Sequence, residues 1–328
     1  MTFLYIIVAL VLIFDFLNGF HDSANSIACI VSTKVLSPLA AVGMAAFFNF
    51  TAFMVFEPKV AATIGKGVVE PDVINMNVIG AAIVAAIIWN IITWWWGLPS
   101  SSSHTLVGGL IGASIVSSGF GSVISGGVIL IVSFIFIAPF LGFIFGHFLS
   151  SLIMWIFRRI QPFTVDKIFR RFQLVSASAF SLGHGANDAQ KSMGIILLAL
   201  ILSNHATKES AIPIWVVLSC QGAIALGTLF GGWRIVKTMG QRITKLKPFE
   251  GFCAETAGAL TIFVATHWGI PVSTTHTITG AIMGVGATKR MSAVKWGLAG
   301  KIIIAWIITI PISALISAGC YWMIAVFM

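Results

Sequence analysis

Long apolar runs, interrupted by short polar motifs, are the feature that most constrains how this chain can fold. Of 328 residues, 58% are hydrophobic and 9% charged, and the mean hydropathy is +1.01. A water-soluble chain of this size carries roughly a quarter charged residues. This chain lacks the polar surface to cover a soluble globule. A membrane-crossing helix needs about 20 apolar residues, and the sequence offers roughly eight to ten such runs. The expected class is an all-α polytopic membrane protein. Met1–Phe14 is apolar but has no basic start and no cleavage site, so the first helix is expected to stay.

The net charge of +9 does not point to nucleic acid, because the basic residues gather in loops between apolar runs. Cys29, Cys220, Cys253 and Cys320 lie far apart, with no metal or redox spacing, and read as packing residues.

The pattern of runs occurs twice. Thr2–Val31 is interrupted by Asn18-Gly19-Phe20-His21-Asp22-Ser23-Ala24-Asn25, and Leu174–Leu202 by Gly183-His184-Gly185-Ala186-Asn187-Asp188-Ala189-Gln190-Lys191. Single helices are expected over 38–56 and 212–236. Two hydroxyl stretches then follow, Pro99-Ser100-Ser101-Ser102-Ser103-His104-Thr105 and Pro271-Val272-Ser273-Thr274-Thr275-His276-Thr277. Two repeats result, 1–160 and 161–328, a pattern that marks secondary transporters. If each hydroxyl stretch tips a re-entrant hairpin, each repeat crosses three times and the second is inverted. The basic loops 158–171 and 237–247, the cluster 289–295 and Lys34 then share one side. The opposite side holds Lys59, Lys66 and Lys208, offset by Glu57, Glu70, Asp72 and Glu209. This bias puts both termini outside.

Hydroxyls at the start of a membrane half-helix suit an anion, because unpaired N–H groups and the positive end of the dipole point there. Ser101, Ser102, Ser103, Ser273, Thr274 and Thr275 are the candidate anion ligands. Their bland reading, that they only bond backbone, fits less well with two such clusters each followed by histidine. His104 and His276 either meet the anion or cap the hairpin. Charges within membrane helices mark functional sites by default. Asp22 and Asp188 sit beside Gly and Asn, where a helix is expected to break and free carbonyls for a cation. Either carboxylate could instead take up and release a proton. A structural polar pair is the bland reading, weakened by the matching repeat positions. Glu255 is a further candidate; Asp15 and Lys301 are less clear. Gly108, Gly112, Gly280 and Gly284 have the spacing for close helix packing.

Together these motifs resemble the inorganic phosphate transporter (PiT) family, whose hallmark is a duplicated G-A-N-D-V-A-N type motif. The copies here are Gly19-Phe20-His21-Asp22-Ser23-Ala24-Asn25 and Gly185-Ala186-Asn187-Asp188-Ala189-Gln190-Lys191. The resemblance covers nearly the whole chain. It implies an inverted-repeat helical carrier with broken helices and two re-entrant hairpins, a homodimer in the plasma membrane, and phosphate symport with a cation. It carries Asp22, Asn25, Asn187, Asp188 and Glu255 as coupling residues, and the hydroxyls above as phosphate ligands. His21 replaces the motif's Asn, and Gln190-Lys191 its Ala-Asn. Gln190 and Lys191 are taken as further substrate ligands; the ammonium either stands where sodium would bind or pairs with the anion. His21 is a second-rank candidate with the two tip histidines. Asn49 stands where sodium-coupled members have a glutamate. These departures resemble proton-coupled members and favour H+ over Na+ as coupling ion, with no cofactor.

Alternatives remain at this stage: a sulfate permease of the same superfamily, a sodium-coupled symporter, carriage of a metal–phosphate complex, and an anion channel. An intramembrane Ser-His-Asp hydrolase is disfavoured, because a triad needs one asymmetric arrangement and these parts come in symmetric pairs.

Overall fold

The computed structural model describes residues 2–64, 67–207, 209–270 and 272–327, without the side chains of 62–64. Lys66, Lys208 and Pro271, used in the charge and motif reading, lie outside the described residues. Those described form α1 (Thr2–Ser32), α2 (Pro38–Thr51), α3 (Lys59–Ile64), α4 (Met76–Trp96), α5 (Ser102–Ser118) and α6 (Ser125–Ile156). Then come α7 (Pro162–Leu202), α8 (Ile214–Phe230), α9 (Trp233–Lys237), α10 (Pro248–His267), α11 (Thr274–Lys289) and α12 (Trp296–Phe327). No strand occurs among them, only an isolated bridge between Val69 and Val123.

By length and composition α1, α4, α6 and α12 can each cross a membrane, and α8 with Trp233–Arg242 makes a fifth bent span. This is fewer than the apolar runs suggest. α5 and α11 are only 17 and 16 residues long, and α7 carries charges along its 41 residues.

Two sequence expectations are corrected. The run 212–236 is not one helix: it ends at Gly231, whose φ of +69° suits glycine, and the chain turns by 61° into α9. The Asp motifs do not break their helices either. α1 runs unbroken through Asp22, and α7 through Asp188. Their glycines serve close approach instead: a Cβ on Gly19 would strike the Ile224 backbone of α8, and one on Gly185 the Asn49 backbone of α2. A glycine beside Asn reads as a breaker in sequence, yet with a neighbouring helix against it the helix continues.

The hydroxyl stretches do turn the chain. α4 ends at Gly97 with φ +66°, and α5 starts with the Ser101 hydroxyl accepting from His104 N at 3.4 Å. α11 starts the same way, with Ser273 accepting from His276 N at 3.2 Å. Each hairpin leaves beside its point of entry. Glu70 N donates to Ser122 O and Ile124 N to Val68 O, both at 2.9 Å. At the other hairpin Lys295 N donates to Ile243 O at 3.0 Å, and Lys289 Nζ lies 2.8 Å from the Glu250 carboxylate. Both hairpins are therefore re-entrant.

The packing is reciprocal. α5 lies on α12 and α11 on α6; α1 lies on α8 and α7 on α2. Gly108 and Gly112 meet the α12 backbone at Ile310 and Ala314, and Gly280 and Gly284 meet α6 at Pro139 and Phe143. One apolar cluster takes Ala24–Ile30 of α1 and Phe169–Phe180 of α7; a second takes Leu4–Phe14 and Ala189–Leu200. The polar middles of α1 and α7 are left between the two.

Candidate functional site

Both tips converge on those polar middles. The His104 and His276 rings lie 4.8 Å apart, and His276 stacks on Trp306 at 4.0 Å. Trp306 Nε1 in turn donates to Pro99 O at 2.9 Å, fixing the first tip. The histidines thus join the tips to each other, a role the sequence left open. Trp306 gave no signal beyond being one tryptophan among eleven.

Lys191 stands between the tips. Its ammonium is 2.5 Å from Asp188 Oδ1, donates to the Ser103 hydroxyl of the first tip, and reaches Val272 O of the second at 3.4 Å. Thr274 Oγ1 donates to Asp188 Oδ2 at 3.2 Å. Asn25 Nδ2 donates to Thr275 Oγ1 at 2.8 Å, with Thr274 Oγ1 at 3.4 Å. Asn187 Nδ2 donates to Thr266 Oγ1 at 3.1 Å, at the end of α10. Ser102 is buried beside Ser103. The hydroxyl candidates therefore divide: Ser101 and Ser273 cap their helices, while Ser103, Thr274 and Thr275 face the centre.

Two histidine–carboxylate pairs complete the site. His21 Nδ1 lies 2.6 Å from Asp22 Oδ1, and its Nε2 3.1 Å from Thr93 Oγ1. His184 Nδ1 lies 3.2 Å from the side-chain oxygen of Asn49, whose Nδ2 donates to Thr228 Oγ1 at 2.9 Å. His184 Nε2 lies 3.2 Å from Asp188 Oδ2. Donor atoms of Asp22, His184 and Asp188 all lie within 4.8 Å of one another. Sequence reading missed His184; its place one turn before Asp188 was the available signal.

Two candidates stand elsewhere. Gln190 spends its side chain on the backbone near α3, donating to Glu57 O at 3.0 Å and accepting from Val60 N at 2.8 Å. Glu255 accepts from Ser176 at 2.6 Å and Gln173 at 3.3 Å. Ser176 precedes Asp188 by twelve residues on α7, which a rise of about 1.5 Å per residue makes roughly 18 Å. Glu255 therefore does not share a site with the Asp pair. Single-sequence reading gives no such depth for a residue on another helix.

The family model described as "Phosphate transporter family" matches residues 18–317. The chain is 58% identical over 316 residues to the "Probable low-affinity inorganic phosphate transporter" of Rhizobium meliloti, covering 96% of this chain and 95% of that one. It is 46% identical over 326 residues to the like-named protein of Bacillus subtilis, covering 99% and 97%. Among solved structures, "The sodium-dependent phosphate transporter" superposes with a TM-score of 0.91 at 26% identity over 100% of both chains.

Proposed function

The chain belongs to the phosphate transporter family, and from that premise we propose that it is a secondary symporter carrying inorganic phosphate with protons. This is a family of carriers, not of enzymes. Phosphate binds between the hairpin tips, held by Ser102, Ser103, Thr274, Thr275, the free N–H groups of α5 and α11, and the Lys191 ammonium. With the site closed, Lys191 pairs with Asp188 in the place an anion would take. On binding, the ammonium turns to phosphate and leaves the Asp188 carboxylate beside a like charge. A proton on His184 or Asp188 relieves that repulsion. Anion and proton therefore load together. Alternate exposure of the site then follows from movement about the tips, as in carriers built from inverted repeats, with moving bodies that each draw on both halves, because α5 packs on α12 and α11 on α6. Asn25 orients the second tip, and Asn187 ties α7 to the end of α10 that leads into it.

The observation that carries the proton reading is the pairing of His184 with Asp188: the ring nitrogen Nε2, on a side chain that gains and loses a proton near neutral pH, lies 3.2 Å from Asp188 Oδ2. The test is labelled phosphate uptake into proteoliposomes with proton and sodium gradients imposed separately. Inward proton gradients should drive accumulation without sodium; accumulation driven by sodium and insensitive to protonophores would overturn the proposal.

Sodium coupling is the second reading. Clustering of Asp22, His184 and Asp188 favours it, as does the likeness to a sodium-dependent carrier. Against sulfate stands the acceptor chemistry of the site: phosphate at neutral pH still has a proton to donate to Asp188 or Asp22, and sulfate has none. Competition between the two anions tests this. The charge bias of the loops supports a plasma-membrane carrier with both termini outside.

A further inference from the structure

The proposed transport cycle uses Asp22 and Asp188 but leaves a third buried acid without a task. Asp15 lies on α1 seven residues before Asp22 and is fully buried. Seven residues are two helical turns, so the two carboxylates share one face, roughly 10 Å apart along the axis. Asn18 stands between them, 1% exposed. Asp15, Asn18, Asp22 and Asn25 form a continuous polar stripe along α1, ending at the second tip. Beyond Asp15 the same face is closed by Val11 and Ile7, both fully buried. Asp15 is thus the last polar group on the way from the tips to the N-terminal end of α1.

Oδ1 accepts from the Ser192 hydroxyl of α7, the residue after Lys191, and the Cys220 thiol of α8 also hydrogen-bonds the carboxyl. No N–H or O–H group of the described residues reaches Oδ2 or the Asn18 side-chain oxygen, both of them buried. A carboxylate held this way in a membrane interior is costly unless it serves a charge-moving step. Two bare acceptors one turn apart are what a proton on the move would meet. The ionisable groups around Asp15 are Asp188 and Lys191 on α7 and Cys220 on α8; α2 and α4 carry none.

We propose that Asp15 is the proton-carrying residue on the N-terminal side of the site. It takes a proton from that face and passes it along the stripe to the His21–Asp22 pair. One O–H bond breaks at Asp15, and either one O–H bond forms at the Asp22 carboxylate or one N–H bond forms at the His21 imidazole; any water relaying the proton loses one O–H bond as it gains another, so no other bond changes in net. The proposal rests on the proton-coupled reading above.

The test uses full-length carrier in proteoliposomes, comparing wild type with Asp15→Asn and Asp15→Glu. Two readings are taken for each: phosphate accumulation under an imposed proton gradient, and exchange of labelled for unlabelled phosphate without one. Asp15→Asn should lose gradient-driven accumulation and keep exchange, because exchange needs no net proton movement. Asp15→Glu should restore part of the accumulation. Equal loss of both activities in Asp15→Asn, unrelieved by Asp15→Glu, would assign Asp15 a structural role and overturn the proposal. So would unchanged proton-driven accumulation in Asp15→Asn. A wild type indifferent to the proton gradient would instead remove the coupling premise, and that outcome is read before either variant is.

Discussion

At the scale of single residues, hydroxyls of one stretch divide into scaffold and contact groups. Ser101 accepts a bond from the backbone of its own helix, whereas Ser103 meets Lys191. Removing a capping hydroxyl costs about 1 kcal/mol. A hydrogen bond to a charged group contributes about 1.5–3 kcal/mol, and 1.4 kcal/mol is about a factor of ten. Ser103→Ala should therefore weaken phosphate affinity about tenfold or more, and, because it also removes the buried bond to Lys191, lower the melting temperature as well. Ser101→Ala should lower the melting temperature with a smaller change in affinity. Uptake kinetics and thermal unfolding of the purified variants check both. The stretch as a whole was legible in the sequence, because four serines after a proline exceed what a helix needs. Its division was not, since adjacent serines look alike until the helix start is fixed. Gln190 illustrates the converse: its motif position suggested substrate, and only the chain path past Glu57–Val60 showed where its amide is spent.

At the scale of helices, glycines decide how deep the hairpins seat. A Cβ on Gly280 would meet the Pro139 carbonyl of α6, while one on Gly300 of α12 meets nothing within 4 Å. Overpacking costs about 1–3 kcal/mol. Gly280→Val should displace α11 from α6 and reduce the folded yield, whereas Gly300→Ala should express and transport as wild type. Detergent-extracted yield by size-exclusion chromatography reads the difference. The four hairpin glycines were legible through their spacing. The continuity of α1 and α7 was not, because the Gly and Asn that signal a break in isolation are here pressed between helices. The break after Phe230 was hidden for the opposite reason: Gly231 sits within a run apolar enough to pass as one helix.

For the whole molecule, the duplicated motifs foretold that two distant segments meet, and the 4.8 Å separation of His104 and His276 agrees. Chain order alone could not say that each half-helix lies on the last helix of the opposite half, as α5 does on α12 and α11 on α6. Nor could it separate Glu255 from the aspartates, since depth in the membrane is a property of the assembled bundle. The account stands on one arrangement: an oxyanion held between opposed tips, with Lys191 exchanging Asp188 for the anion. The most direct measurement is a structure of the carrier in lipid with phosphate bound. Phosphate oxygens should lie within hydrogen-bond distance of Ser103, Thr274 or Thr275 and Lys191, with Lys191 Nζ withdrawn from Asp188. Phosphate bound away from both tips, with the Lys191–Asp188 pair intact, would contradict it.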